Sequence, residues 1–243
     1  MIELLGVGVP RERGGWLLHR VCATLEAGEV TVVLSADPAE RIALLDAITG
    51  RRLPEEGRVW VSRAPLMPGS RGRIRRLCGD VDPEETLVER RSLFWNAVAP
   101  ISGSRALARL LRLPRRRERD AVRAALERVG LRGRAEEPVG GLSPFDRMRF
   151  RLARALARSP RHLVVREPHD AVAPDDVGGL LALLRLIART DRLGVVVSLP
   201  DGEDARRFAD RVLVLDEGLL VFHGRPESLD EARGARGPGA LVR

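Results

Sequence analysis

Apolar and polar positions along this chain switch between a period of two and a period near 3.6, and the switches mark out its elements. Residues 1 to 34 hold short apolar stretches separated by Gly-rich turns. Within them Glu29–Leu34 (EVTVVL), short, β-branched and bounded by Gly28 and Ser35, predicts a buried strand. From Pro38 to Ile48 the apolar residues Ile42, Leu44, Leu45 and Ile48 fall at helical spacing, and Gly50 is placed to end that helix. A polar stretch, Asp82–Glu85, leads to two helical patterns, Ala106–Leu113 and Asp120–Val129, separated by Pro114 and an arginine run. Beyond them the pattern predicts a helix over Phe145–Arg158, a strand at His162–Val165, a helix over Asp176–Thr190 and a strand at Gly194–Leu199. A short helix at Glu203–Ala209 and a strand at Arg211–Leu215 complete the series. Strand and helix in alternation argue a parallel sheet covered on both faces by helices. The stretch from Gly234, with Gly237-Pro238-Gly239, is expected to fray.

Composition narrows the picture. A chain of 243 residues that is 44% hydrophobic is too apolar to be disordered and long enough to bury substantial cores. All 42 basic residues are arginine, and glutamine and tyrosine are also missing. The net charge of +8 suits an anionic surface, whether nucleic acid or membrane. Cys22 and Cys78 lie far apart without metal-ligand spacing, so neither a disulfide framework nor a zinc site is expected. The longest apolar run, Leu180–Ala188, is broken by Arg185 and is too short to cross a bilayer; together with the unremarkable Met1–Leu5 start, this leads to the expectation of a cytoplasmic protein. The arginine-rich segment Arg105–Arg119 reads either as a solvated face or as a surface drawn to anionic lipid. It lacks interleaved aromatics, so nucleic acid is not expected as a partner.

Four stretches stand in a telling order. They are EAGEVTVVL from Glu26, LERVGLRGRAEEPVGGLS from Leu126, LARALARSPRHLVVREP from Leu152, and FADRVLVLDEGLLVFHGRPESL from Phe208. In sequence and spacing they resemble the ATP-binding cassette (ABC) ATPase family, and most of all the ATPase subunits of phosphonate importers. The resemblance implies an α/β, P-loop NTPase-like fold with a parallel-sheet core, an N-terminal β subdomain and a helical insert. It divides the chain into a cassette over 1–230, with its core at 1–86 and 159–230 and its insert at about 87–158, followed by a flexible tail at 231–243. It also implies ATP and Mg²⁺ as ligands, a membrane permease as partner, and pairing with a second cassette as a homodimer or heterodimer.

The residues at the family's motif positions depart from its pattern. A phosphate loop reads G-x-x-x-x-G-K-[ST], in which glycines let amides curl around phosphate, lysine reaches the β- and γ-phosphates, and the hydroxyl binds magnesium. The matching stretch here runs Ser35-Ala36-Asp37-Pro38-Ala39-Glu40-Arg41-Ile42, so Ser35 and Glu40 replace the glycines, Arg41 the lysine and Ile42 the hydroxyl residue. A carboxylate about 4 Å from one phosphate charge costs roughly 4 kcal/mol at an effective dielectric of about 20. Two readings remain for the loop: Arg41 and the helix N-terminus still hold an anion, or the turn binds nothing and Glu40 and Arg41 are solvated.

By the same resemblance Asp82 stands at the magnesium-sensing glutamine. Ser143 survives in the signature, but Pro144, Phe145 and Asp146 replace its glycines and glutamine. Arg166 stands where an aspartate would assist magnesium, and Glu167 at the general-base position, where an ion pair with Arg166 or another arginine is the alternative to catalysis. Ala173 takes the place of the D-loop aspartate, Pro200 that of the switch histidine and Arg11 that of the base-stacking aromatic. The expectation is a catalytically inactive pseudo-ATPase with no working cofactor, docked on a permease through a floor of Leu87, Val88, Leu93, Phe94 and Val98. A soluble regulatory protein that has kept the fold, and an active ATPase with atypical motifs, are the other two readings.

Overall fold

The computed structural model describes residues 1–12, 14–98, 115–200 and 202–229. The expected helix at Ala106–Leu113 and the expected tail at 231–243 lie outside them. Strands β1 (Ile2–Pro10), β2 (Trp16–Leu25), β4 (Glu56–Val61) and β5 (Ala64–Pro65) form an antiparallel sheet in the order β2-β1-β4-β5. A second sheet has the order β10-β9-β3-β8-β7-β6 and is built from β3 (Val30–Leu34), β6 (Cys78–Val81), β7 (His162–Val165), β8 (Gly194–Leu199), β9 (Arg211–Asp216) and β10 (Leu219–Gly224). All its neighbours run parallel except β10, which returns antiparallel on β9.

The central strands are apolar at nearly every position because both of their faces are covered. In β3, Val30, Val32 and Leu34 enter one apolar cluster while Val33 enters another, and β7, β8 and β9 divide their side chains the same way. One cluster holds helix α1 (Pro38–Thr49) between the two sheets, through Ala43, Leu44, Leu45, Ala47 and Ile48. The other is covered by helices α4 (Arg116–Arg128), α5 (Pro144–Leu156) and α6 (Pro174–Asp191). Short helices α2 (Arg71–Leu77), α3 (Leu93–Val98) and α7 (Glu203–Phe208) complete the described set. None of the described helices is long and apolar enough to cross a membrane.

Local chemistry fixes the ends that matter for the site. Asp37 caps α1, accepting from the Ala39 amide at 2.8 Å with Pro38 in the first turn. Gly50 closes that helix in the left-handed region (φ 72°), where an added Cβ would sit 3.1 Å from Leu66. Helix α4 begins at Arg116, inside the run read from sequence as a separator, because the Arg115 amide donates to Glu118 Oε2 at 2.8 Å and the first turn closes on its own carboxylate.

The expected docking floor is also corrected. Leu87, Leu93 and Phe94 are core residues packed with the sheet and α5, Val98 is half-buried against the same core, and only Val88, 56% exposed, faces outward. Buried Asn96 holds this stretch in place, donating to the carbonyls of Val88, Arg91 and Ser92 and accepting from the Val88 amide at 2.9 Å.

Candidate nucleotide-binding site

The loop after β3 lies at the carboxyl end of the parallel sheet, beside the ends of β8 and β7, where open α/β sheets form their ligand crevices. Side chains of the protein fill the loop. The Asp37 carboxylate that caps α1 pairs with Arg11 at 2.7 Å, so the positive end of the helix faces an anion from its own chain. The hydrogen bond from Arg11 is the main cause that holds the Asp37 carboxyl below its ordinary value. Arg11, aligned with a base-stacking aromatic, is thus engaged in an ion pair. Trp16 stacks on His19 with ring centroids 5.3 Å apart.

Glu40 and Arg41, solvated in one of the two readings of the loop, are 2% and 3% exposed. The reason is that each has found partners inside the chain. Glu40 Oε2 accepts from Ser35 Oγ at 2.7 Å, and its Oε1 accepts from the Gly218 amide at 2.7 Å. The carboxylate therefore straps the loop to the β9–β10 turn, and Ser35 Oγ in turn accepts from the Asp37 amide. Arg41 crosses to the end of β7, donating from Nε to Glu167 Oε1 at 2.9 Å and from Nη2 to Glu167 Oε2 at 2.6 Å. Its Nη1 donates to the Ser35 carbonyl. Ile42 turns outward, 42% exposed.

Glu167 is held from three sides. Its backbone sits in the left-handed region (φ 36°, ψ 54°), unusual for a residue with a side chain, and its amide donates to Ser198 Oγ at 2.9 Å. Burial alone would push its carboxyl up. Hydrogen bonds with Arg41 and Ser198, and the charge of Arg41, outweigh that and hold it below the ordinary value. Its ion-pair partner is Arg41 and not its neighbour Arg166. His169 Nε2 stands 3.6 Å from Glu167 and 3.2 Å from Asp170.

Arg166, 5% exposed, anchors a separate ring of charges. It reaches Asp80 at 2.8 Å, Asp46 at 2.9 Å and Thr49 Oγ1 at 3.1 Å. Arg51 extends the ring, pairing with Asp80 at 2.6 Å and Asp82 at 2.7 Å. Burial would raise the Asp82 carboxyl, and the Arg51 and Glu84 hydrogen bonds bring it below its ordinary value instead.

The structure thus brings together Ser35, Glu40, Arg41 and Glu167 in one network and Arg166 and Asp82 in a neighbouring one. It leaves Ser143 and Pro200 outside both. Ser143 is exposed and caps α5, accepting from the Asp146 amide at 3.1 Å, while Asp146 is gripped by Arg134 at 2.6 Å and Arg149 at 2.8 Å. Pro200 follows the end of β8 and is half-buried. Sequence reasoning missed Asp46, Thr49, Asp80, Ser198 and Gly218. The rule that a buried guanidinium must be paired could have demanded carboxylates for Arg166, but not said which.

The model of the ABC transporter family matches residues 18–170. The chain belongs to the ABC transporter family. Among relatives of this family member, the phosphonates import ATP-binding protein PhnC 2 of Cupriavidus metallidurans is 34% identical over 94% of this chain and 83% of its own. The phosphite import ATP-binding protein PxtA of Stutzerimonas stutzeri is 34% identical over 85% of this chain and 75% of its own. The fold of this ABC protein is that of solved cassettes: cbiO1 from Clostridium perfringens superposes with a TM-score of 0.82 at 22% identity, covering 95% of this chain and 90% of that one. The dimeric bacterial cassette MJ0796 gives 0.74 at 23% identity, covering 93% and 99%.

Proposed function

We propose that this chain is a noncatalytic cassette of a phosphonate- or phosphite-class importer, docked on the cytoplasmic side of a membrane permease and paired with a second cassette. The importer class comes from the names of its relatives, of which PhnC 2 covers nearly the whole chain. The observation that carries the loss of catalysis is the bidentate Arg41–Glu167 pair, in which the residue aligned with the phosphate-binding lysine neutralises the one aligned with the general base. ATP and magnesium do not fit the residues present. Glu40 places a buried carboxylate where phosphate oxygens would approach, Asp37 already occupies the helix N-terminus, and Arg166 puts a cation where the metal's outer ligand belongs.

Mg-ATP binding measured by calorimetry is therefore expected to be about a thousandfold weaker than in a cassette with an intact loop, the equivalent of roughly 4 kcal/mol from one carboxylate–phosphate repulsion. The variant Ser35→Gly, Glu40→Gly, Arg41→Lys and Ile42→Ser is expected to leave hydrolysis at background, because Arg166, Asp82 and Pro200 still deny the metal and the attacking water their supports. Micromolar, magnesium-dependent ATP binding by the natural protein, or turnover by that variant, contradicts the reading.

Docking has its own test. Val88 is exposed on a loop whose backbone, not its side chain, is tied to Asn96, so Val88→Glu leaves the fold unchanged by circular dichroism. Co-purification with the co-expressed permease is expected to fall about tenfold, the effect of losing one apolar contact and burying a charge. A natural protein that never co-purifies with the permease favours the soluble regulatory reading instead.

A further inference from the structure

Beside the edge strand β6 lies a cavity of about 320 Å³ whose wall carries Arg51, Arg75, Arg151, Arg154 and Arg158 against only two carboxylates, Asp80 and Glu85. Much of this charge is already matched. Asp80 is committed to Arg166 and Arg51, and Arg151 donates from Nε to the Asp82 carbonyl and from Nη2 to those of Pro83 and Glu85. Arg154 differs. It is 6% exposed, its Nε has no acceptor among the described residues, and its Nη1 stands 3.1 Å from Glu85 without the alignment of a hydrogen bond. Burial pushes its guanidinium below the ordinary value, only partly offset by Glu85. A buried cation with donors left over is costly unless an anion completes it.

We propose that this cavity binds a small phosphate-class oxyanion, held by Arg154 at its floor and Arg75 at its rim. The guanidiniums come from different directions: α2 supplies Arg75, the end of α1 is followed by Arg51, α5 supplies Arg151 and Arg154, and Arg158 lies in the turn just after α5. A tetrahedral anion directs its oxygens in three dimensions, toward guanidiniums that converge from different sides, whereas both oxygens of a carboxylate lie in one plane. The volume lies at the small end of ligand pockets. This site is distinct from the sealed loop, since neither Glu40 nor Arg41 lines it. Its walls belong to α1, α2 and β6 on one side and α5 on the other, so a bound anion ties the helical segment to the sheet edge.

The test is calorimetric titration with inorganic phosphate at low ionic strength, comparing the natural protein with Arg154→Gln, Arg75→Ala and, as a control, Arg123→Ala on α4. Arg75 and Arg123 are both exposed, so neither change threatens the fold. One saturating equivalent is expected, weakened about tenfold by Arg75→Ala, abolished by Arg154→Gln and untouched by Arg123→Ala, with phosphate also raising the melting temperature of the natural protein. If Arg154→Gln does not fold, the Arg75 and Arg123 pair still decides. The proposal is overturned by no saturable binding, by equal effects of Arg75→Ala and Arg123→Ala, or by glutarate, a dicarboxylate, binding as tightly as phosphate.

Discussion

Glu167→Ala is expected to lower unfolding stability by about 3–5 kcal/mol, the cost of leaving a buried guanidinium without its carboxylate. Arg41 is 3% exposed, and its Nε and Nη2 are both committed to Glu167. Removing the carboxylate strands a charge that cannot reach water without tearing the loop from β7. Arg41→Met is expected to cost a similar amount, because it strands Glu167 and frees the Ser35 carbonyl. The double variant Arg41→Met with Glu167→Ala removes both charges and is expected to be more stable than either single change. Urea denaturation of the four proteins measures this coupling directly. Losses that simply add would mean the two residues do not act as a unit, and the sealed loop would lose its main support.

The framework was legible in the sequence where local pattern and tertiary demand agree. The strands at His162–Val165 and Gly194–Leu199 appear with the bounds read from their β-branched runs, because a strand buried on both faces must be apolar at nearly every position. The start and stop of α1 were written in Pro38 and Gly50. The start of α4 was not, because its first turn is polar and depends on the Arg115–Glu118 contact rather than on an apolar stripe. Phe94 was misplaced on a docking surface because its six-residue helix is too short for periodicity to separate an inward face from an outward one.

At the site, the departures from the phosphate-loop pattern could be read residue by residue, but their consequence could not. Arg41 and Glu167 are 126 residues apart, and nothing local announces that one will take the other. The sequence shows Ser35, Glu40 and Arg41 where the phosphate-loop pattern has two glycines and a lysine. Only the fold shows that the replacements answer one another, with Ser35 and Gly218 donating to Glu40, and Asp46 and Asp80 facing Arg166. That mutual pairing gives each buried charge of the crevice a partner from the chain itself.

Acidification is expected to destabilise the protein by about 3 kcal/mol between pH 6.5 and 4, with His162 as the main source. This residue opens β7 at 1% exposure, its Nε2 lies 3.0 Å from Ser62 Oγ, and its Nδ1 has no partner among the described residues. The ring packs hard on the neighbouring strand, since a Cβ on Gly194 would stand 2.6 Å from Nδ1. Burial first, then the positive charges of the chain's N-terminus and Arg161, depress its pKa from 6.5 to about 4. In this window the unfolded chain binds a proton that the folded one refuses, so stability rises with pH and is lost as pH falls from 6.5 toward 4. Glu167, Asp37 and Asp82 act in the same direction at lower pH: held below their ordinary values when folded, they stabilise the protein above those values and lose that contribution as pH falls through their folded ones. His162→Gln removes the titrating group and keeps an amide beside Ser62, so its urea midpoint is expected to stay nearly level from pH 7 to 4.5. His223, held low by burial and then by Arg211, leaves a small residual slope of the same sign. If the variant's midpoint falls over this range as steeply as that of the natural protein, His162 is not the group whose protonation unfolds it.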